Sequence, residues 1–416
     1  MAKQTSPQNA EDYFNRGYEH LQKGEFQEAV EDFSEAIRLR PDVSVGYRYR
    51  SYAYVELGQR LRAISDLDET LRLNPDDIQA YADRAFELFE QKSFDQAITD
   101  CNQVLKRDPG RAYIYGLRGR ALAAQGQSDL AEADFTRALQ TDPDHASDYL
   151  NWRADLFADR EDFDRAIDDY SESLNRNANQ PFTYHGRAAA YYAKGELSLA
   201  LQDYNEVLKL KPESGWAFNG RGLVRRDSGD RDGALEDFSE AIRLLPKAPA
   251  AWELRGQLHF DADRYEDALA DFTEALKNKP DSVRLYNRRG QVHYFQREYA
   301  KAIRDHMEAL KIDPKDAYTF NFLAWIWATA PVSTIRNANR SFECATRACE
   351  LTEFEEPSFL DTLAAAHAEC GRFDEAIHWA EKAIELVDET TAEDYGTRLE
   401  LFREHQPVRV TPERKG

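Results

Sequence analysis

Residues 10–43 read AEDYFNRGYEHLQKGEFQEAVEDFSEAIRLRPDV, and this stretch decides the fold. Apolar and small residues recur at Tyr13, Gly17 and Leu21, then at Ala29, Phe33, Ala36 and Ile37. Steps of three and four residues put each set on one face of a helix. Lys23-Gly24 separates the two helices, and so short a connection makes them antiparallel neighbours. Pro41 ends the second helix, since proline offers no N–H to continue the ladder. No alternation of strand length interrupts the helical pattern.

The same unit then repeats. Pro41, Pro75, Pro109 and Pro143 stand 34 residues apart, and so do Pro212, Pro246, Pro280 and Pro314. The two series are separated by 69 residues, two periods plus one. The extra residue falls in Asp144–Arg153, and Ala178 takes the place of the missing proline. A fixed period of this length means stacked copies of one supersecondary unit.

Within the period, a small residue recurs on the first helix: Gly17, Ser51, Ala85, Gly119, Ala154, Ala188, Gly222, Gly256 and Gly290. Alanine opens the second without exception, from Ala29, Ala63, Ala97, Ala131 and Ala166 through Ala200, Ala234, Ala268 and Ala302. Small residues on facing helices let the two backbones approach closely. Four residues on come Phe33, Leu67, Cys101, Phe135, Tyr170, Tyr204, Phe238, Phe272 and His306, mostly aromatic. These residues resemble the tetratricopeptide (TPR) repeat pattern over nearly the whole chain. The resemblance implies an all-α fold, an α-solenoid in which antiparallel helix pairs wind into a right-handed superhelix.

One departure from the family pattern recurs. Where that pattern usually has leucine, this chain has Arg16, Arg50, Arg84, Arg118, Arg153, Arg187, Arg221, Arg255 and Arg289. Sixteen residues after each stands an aspartate: Asp32, Asp66, Asp100, Asp134, Asp169, Asp203, Asp237, Asp271 and Asp305. Sixteen residues across a helical hairpin place the two on facing helices. The expectation is a structural ladder of ion pairs, within a repeat or between neighbours, rather than an arginine row open to anions.

The pattern breaks after Pro314. Residues 317–356 form an expanded repeat, with Leu323 for the arginine, Cys344 for the aspartate and five extra residues around Pro331. Residues 357–390 return to period with Gly371, Ala376 and Ala383. The organisation expected is an N-terminal extension over 1–9, nine regular repeats over 10–316, the expanded and terminal repeats, a capping helix over 391–405 and a loose tail over 406–416. Solenoids need such a polar cap at their ends.

Composition bounds the function. The 416 residues carry 54 Lys plus Arg against 76 Asp plus Glu, a net charge of −22. That balance opposes phosphate neutralisation on nucleic acid and docking on anionic lipid. Four cysteines without a CxxC pair are no disulfide framework, and no run of 18 apolar residues spans a membrane. The expected location is therefore cytoplasmic. No phosphate-cradling glycine loop, HExxH or GxSxG motif is present, so neither enzyme activity nor a cofactor is expected. His367, Cys370 and His378 read as core and surface positions rather than metal ligands.

Surface remains. In the TPR family the first helix of each unit lines a concave groove. The resemblance then implies ligand-facing residues at Phe14, Tyr18, Arg48, Tyr52, Phe86, Phe89, Tyr113 and Arg120. An acidic step follows at Asp148, Asn151, Asp155 and Asp159. Further along come Phe182, His185, Tyr192, Trp216, Asn219 and Arg226, then Asn287, Gln291, Tyr294, Asn321 and Trp325. Rings with interspersed amides suit an extended peptide. The chaperone-type carboxylate clamp is not expected, because none of its first-asparagine positions (Tyr18, Tyr52, Phe86, Arg120, Asp155, Ala189, Leu223, Gln257, Gln291) is asparagine. The expected function is a non-enzymatic scaffold for basic or neutral protein partners. The alternative is an adaptor that self-associates through its divergent C-terminal repeats.

Overall fold

The computed structural model describes residues 9–410. The chain divides into two compact units at Leu210/Lys211. The first unit holds six helical hairpins: α1 (Ala10–Lys23) with α2 (Phe26–Leu39), α3 (Ser44–Glu56) with α4 (Arg60–Leu73), α5 (Ile78–Glu90) with α6 (Phe94–Arg107), α7 (Ala112–Ala124) with α8 (Ser128–Thr141), α9 (Ala146–Asp159) with α10 (Phe163–Arg176), and α11 (Pro181–Ala193) with α12 (Leu197–Leu210). The second holds five hairpins and a closing helix. These are α13 (Gly215–Asp227) with α14 (Arg231–Leu244), α15 (Pro249–Asp261) with α16 (Tyr265–Asn278), α17 (Val283–Phe295) with α18 (Tyr299–Ile312), α19 (Ala317–Thr329) with α20 (Ala338–Leu351), α21 (Pro357–Glu369) with α22 (Phe373–Ile384), and finally α23 (Glu389–Arg403). Each unit is an all-α solenoid segment.

The hairpin turn has one repeated design. A residue in the left-handed region follows the first helix: Gly24, Gly58, Gly126, Gly195, Gly229 and Gly371, but Lys92, Glu161, Asp263 and Arg297 in the other regular repeats. The next N–H reaches back to the helix, as in Glu25 N–H to the His20 carbonyl at 2.9 Å and Ser93 N–H to the Leu88 carbonyl at 2.8 Å. This closes the helix C-terminus and starts the antiparallel partner within two or three residues.

Packing between the helices follows from the small residues. A Cβ built on Gly119 would lie 2.7 Å from the Phe135 ring, and one on Gly222 would lie 2.7 Å from Phe238. The missing methyl is thus the space that the aromatic ring sixteen residues later fills. Phe33, Phe135, Phe238 and Phe272 are fully buried there, beside the invariant alanines.

The C-terminal region departs from this scheme. Leu323, at the arginine position, is buried, and the loop between α19 and α20 is pinned. Asn337 N–H donates to the Trp327 carbonyl at 3.0 Å, and Arg336 meets Glu369 at 3.2 Å. Residues 406–410 are not loose, contrary to the sequence expectation. Val408 is buried, Val410 N–H donates to the Thr329 carbonyl at 3.0 Å, and Arg409 pairs with Glu369 at 2.8 Å. The pattern of a short apolar pair among charges hid this packing, because its contacts lie some eighty residues upstream. The remainder of the tail, 411–416, and residues 1–8 of the N-terminal extension lie outside the described residues.

Candidate functional site

All nine arginines of the ladder bind the aspartate sixteen residues on, inside the same repeat. Each guanidinium is bidentate, Nε to Oδ2 and Nη2 to Oδ1, at 2.5–2.9 Å. Two parallel charge-assisted bonds are the strongest geometry available to this pair. The hydrogen bond to Asp100 outweighs burial, which acts the other way, and holds the Arg84 guanidinium above its ordinary pKa.

The remaining nitrogen ties repeats together. Nη1 donates back to the preceding repeat: Arg50 to Ser34 Oγ at 3.0 Å, Arg84 to Asp68 Oδ1 at 2.7 Å and Arg118 to Asn102 Oδ1 at 2.5 Å. Arg153 reaches Thr136, Arg187 reaches Ser171, Arg255 reaches Ser239 and Arg289 reaches Thr273. The ladder is therefore both intra- and inter-repeat. Its third partner was legible as a small polar residue two after each aspartate. That position becomes Met307 just where the next repeat has Leu323. A ring three residues before the arginine lies 5.2–5.7 Å from the guanidinium carbon in eight repeats, Tyr13 and Trp252 among them. From Arg50 onward these contacts engage the guanidinium on its aspartate and on neighbouring side chains, whereas Arg16, at the start of the row, is 40% exposed.

In the first unit, first helices of successive repeats touch: α1 with α3, α5 with α7, α7 with α9, and α9 with α11. The side chains they carry thus share one face. Tyr18 is 40% exposed, Phe86 and Tyr113 each 48%, and Phe182 81%. Several of the expected groove residues are engaged within the protein, Tyr18 among them through the Tyr49 ring. Phe14 packs against Phe33 and Tyr49. Arg48 pairs with Asp77 at 2.8 Å. Arg120 lies between the rings of Phe89 and Trp152, at 4.4 and 5.0 Å. Asn151 donates to Gln180 at 3.1 Å, and the His185 ring, pushed down in pKa by burial, meets Tyr204. Tyr192 is half-buried. In the acidic step, Asp148, Asp155 and Asp159 are exposed, and Asp155 accepts the Tyr170 hydroxyl at 2.5 Å.

A depression of about 400 Å³ opens on this face between α3, α5 and α7. Tyr52, Phe86 and Tyr113 form its aromatic walls, and Glu56, Asp83 and Glu87 bring carboxylates to it. Tyr52 Oη and Gln79 Nε2 each donate to Asp83 at 2.8 Å. Burial raises the Asp83 carboxyl above its usual range, against the lowering by those two bonds. Glu87 is buried and paired with Arg60 at 2.8 Å. The sequence reading found the rings but missed Asp83. The signal was an acidic residue just before an arginine of the ladder, a place otherwise held by neutral residues or, before Arg289, by Arg288.

In the second unit Trp216 is 60% exposed. Tyr294, expected at the groove, is only 6% exposed and is a core residue instead. Its ring packs on Tyr299 and Phe322, and its hydroxyl accepts the Trp325 indole N–H at 3.2 Å. Asn287 is also consumed internally, donating to Asp316 at 2.9 Å and accepting from Thr319 and the His306 ring. Arg226 pairs with Asp227, and Gln291 meets Arg288. Asn219 and Asn321 are half-buried, each with a buried amide oxygen that lacks a hydrogen-bond partner.

Family models for the tetratricopeptide repeat match residues 10–43, 50–112, 88–156, 219–281, 254–317 and 358–387, and a TPR repeat model matches 188–225. The chain belongs to the tetratricopeptide repeat family. The matches leave residues 318–357 aside, which takes in all but the first residue of the expanded repeat at 317–356. No curated protein matches this TPR chain. Among solved structures, a tetratricopeptide repeat protein from Parabacteroides merdae ATCC 43184 has a TM-score of 0.50 at 20% identity, covering 60% of this chain and 98% of that one. Yeast Tom70 has a TM-score of 0.40 at 18% identity over 95% and 96% of the two chains. MamA from Desulfovibrio magneticus RS-1 has 0.40 at 21% identity over 42% and 99%. At 20% identity the likeness to the Parabacteroides protein is one of fold alone.

Proposed function

We propose that this TPR protein is a non-enzymatic scaffold that binds a basic or neutral protein partner along the first helices of its N-terminal unit. The observation that carries the reading is the set of exposed rings on first helices, Tyr18, Phe86, Tyr113 and Phe182, with carboxylates beside Phe86 and Tyr113. Repeat solenoids use such extended faces for recognition, and exposed aromatic anchors supply binding area at small entropic cost. The net charge of −22 steers basic partners toward the chain and repels polyanions. No helix among the described residues is long and apolar enough to cross a membrane.

Self-association through the divergent C-terminal repeats is the less favoured reading. Trp327 is buried, and Trp325 is engaged by Tyr294 and by Arg398, whose guanidinium lies 5.7 Å from its ring. The test is a pull-down from native cells with the wild type and Phe86→Ala/Tyr113→Ala. The double variant should lose a partner that the wild type retains, at unchanged helicity. Retention of every partner moves binding off this face.

A further inference from the structure

We infer that the depression between α3, α5 and α7 is an anchor for a lysine or arginine side chain carried by an extended segment of a protein partner. This rests on the scaffold reading and names the chemistry that the groove selects. Three features of the site converge on a cation.

The first is uncompensated charge. Every aspartate of the ladder has its arginine, and Glu87 has Arg60. Asp83 has hydrogen bonds from two neutral donors only, and Glu56, exposed at the rim, forms no ion pair among the described residues. Arg48 of α3 acts on Asp83 only through its field, since its guanidinium is bound to both oxygens of Asp77. A carboxylate that is partly withdrawn from water without a cationic partner gains most from an incoming one.

The second is the wall chemistry. Tyr52, Phe86 and Tyr113 surround the depression, and the face of an aromatic ring attracts a cation. The chain already uses that contact internally, with the Arg120 guanidinium 4.4 Å from the Phe89 ring. The third is shape. Val55, Leu67 and Ala82 supply an apolar floor, which suits the methylene stem of lysine or arginine beneath its charged head. A wholly apolar side chain would leave Asp83 desolvated and unpaired.

The experiment is a calorimetric titration of the full chain with octalysine amide and octaarginine amide, with Nε-acetylated octalysine as the neutral probe. Asp83→Asn keeps the shape of the side chain and removes its charge, at the loss of one of the two acceptor oxygens that Tyr52 and Gln79 use. Asp168→Asn, on the exposed face of α10, removes the same charge elsewhere. For at least one of the two cationic peptides, Asp83→Asn and Phe86→Ala should each weaken binding at least fivefold, while Asp168→Asn stays within twofold. The peptide that shows this identifies the preferred head group, and the acetylated peptide should not bind.

Equal weakening by Asp83→Asn and Asp168→Asn with both peptides would mean diffuse attraction to an acidic protein and would overturn the anchor. So would equal binding of the acetylated peptide, or a change in the sedimentation of the unliganded protein on Asp83→Asn, which would make a second copy the occupant. The two readings separate cleanly. If the titration fails while Phe86→Ala/Tyr113→Ala still loses a cellular partner, the scaffold stands and only the cationic anchor falls.

Discussion

The regular repeats and the C-terminal region hold equivalent helices together by opposite means. In the regular repeats a charged rung of arginine and its aspartate runs between each pair of helices, and most rungs add a ring over the guanidinium and a polar side chain of the preceding repeat. From α19 onward the rung is gone. Leu323 is buried where arginine stood, and α21 is buried along nearly its whole length, from Phe359 to Ala368. Ion pairs persist here off the ladder register, among them Arg398 to the buried Asp361 at 2.9 Å, which joins the closing helix α23 to α21. A polar rung fixes register through directional bonds, whereas apolar packing tolerates the longer loop that this region carries.

The largest expected effect breaks a rung. Arg118→Leu strands Asp134 beside an apolar neighbour, and removing one partner of a buried pair costs about 3–5 kcal/mol. Arg118→Leu with Asp134→Leu should recover much of this, bringing the central repeats closer to the C-terminal mode. Chemical denaturation of the single and double variants decides. A double variant no more stable than the single would show that the rung itself, rather than its stranded charge, sets the stability.

Next is acid. His306 occupies the core position that Phe33 or Phe238 fills elsewhere, and burial pushes its pKa down to about 3. Its Nδ1 hydrogen bonds to Asn287 at 2.9 Å, and its ring lies 4.4 Å from Phe322. The unfolded chain binds this proton near the ordinary histidine value, about 6.5. Stability from the neutral ring is thus fully present above pH 6.5 and is lost as the pH falls toward 3, by about 1.4 kcal/mol per pH unit. His306→Phe should flatten that part of the pH–stability curve relative to wild type. An unchanged slope would assign the acid loss to other groups.

The smallest effect is one substitution with two signs. Gly119→Ala would push a methyl to 2.7 Å from the Phe135 ring and should destabilise by about 1–3 kcal/mol, despite the better helix former. Gly396→Ala in α23 meets nothing within 4 Å and should stabilise by about 0.8–1 kcal/mol. Thermal melts of both variants test whether the glycine is packing in the regular repeats and tolerance in the closing helix.

The helices, their hairpins and the stoichiometry of the ladder were legible because each rests on a local or strictly periodic pattern. The spacing of Tyr13, Gly17 and Leu21 is set by one helix, and Arg16 meets Asp32 by the geometry of one hairpin. The groove was legible only in part. Phe86 and Tyr294 look alike in sequence, as rings on first helices, yet one is exposed and the other is in the core. Neighbours decide: Tyr294 is enclosed by Tyr299 and Phe322, whose placement depends on the adjoining helices.

The sequence by itself thus determined a chain of antiparallel helical hairpins with a fixed repeat and a matched count of opposite charges, since periodicity and charge are properties of the chain. Only the tertiary structure decided where the third arginine nitrogen goes, that the first residues of the tail pack against Thr329 and Glu369, and that Asp83 is left without a cation among three rings. Those outcomes depend on which side chains from different repeats meet, and on how much water remains between them.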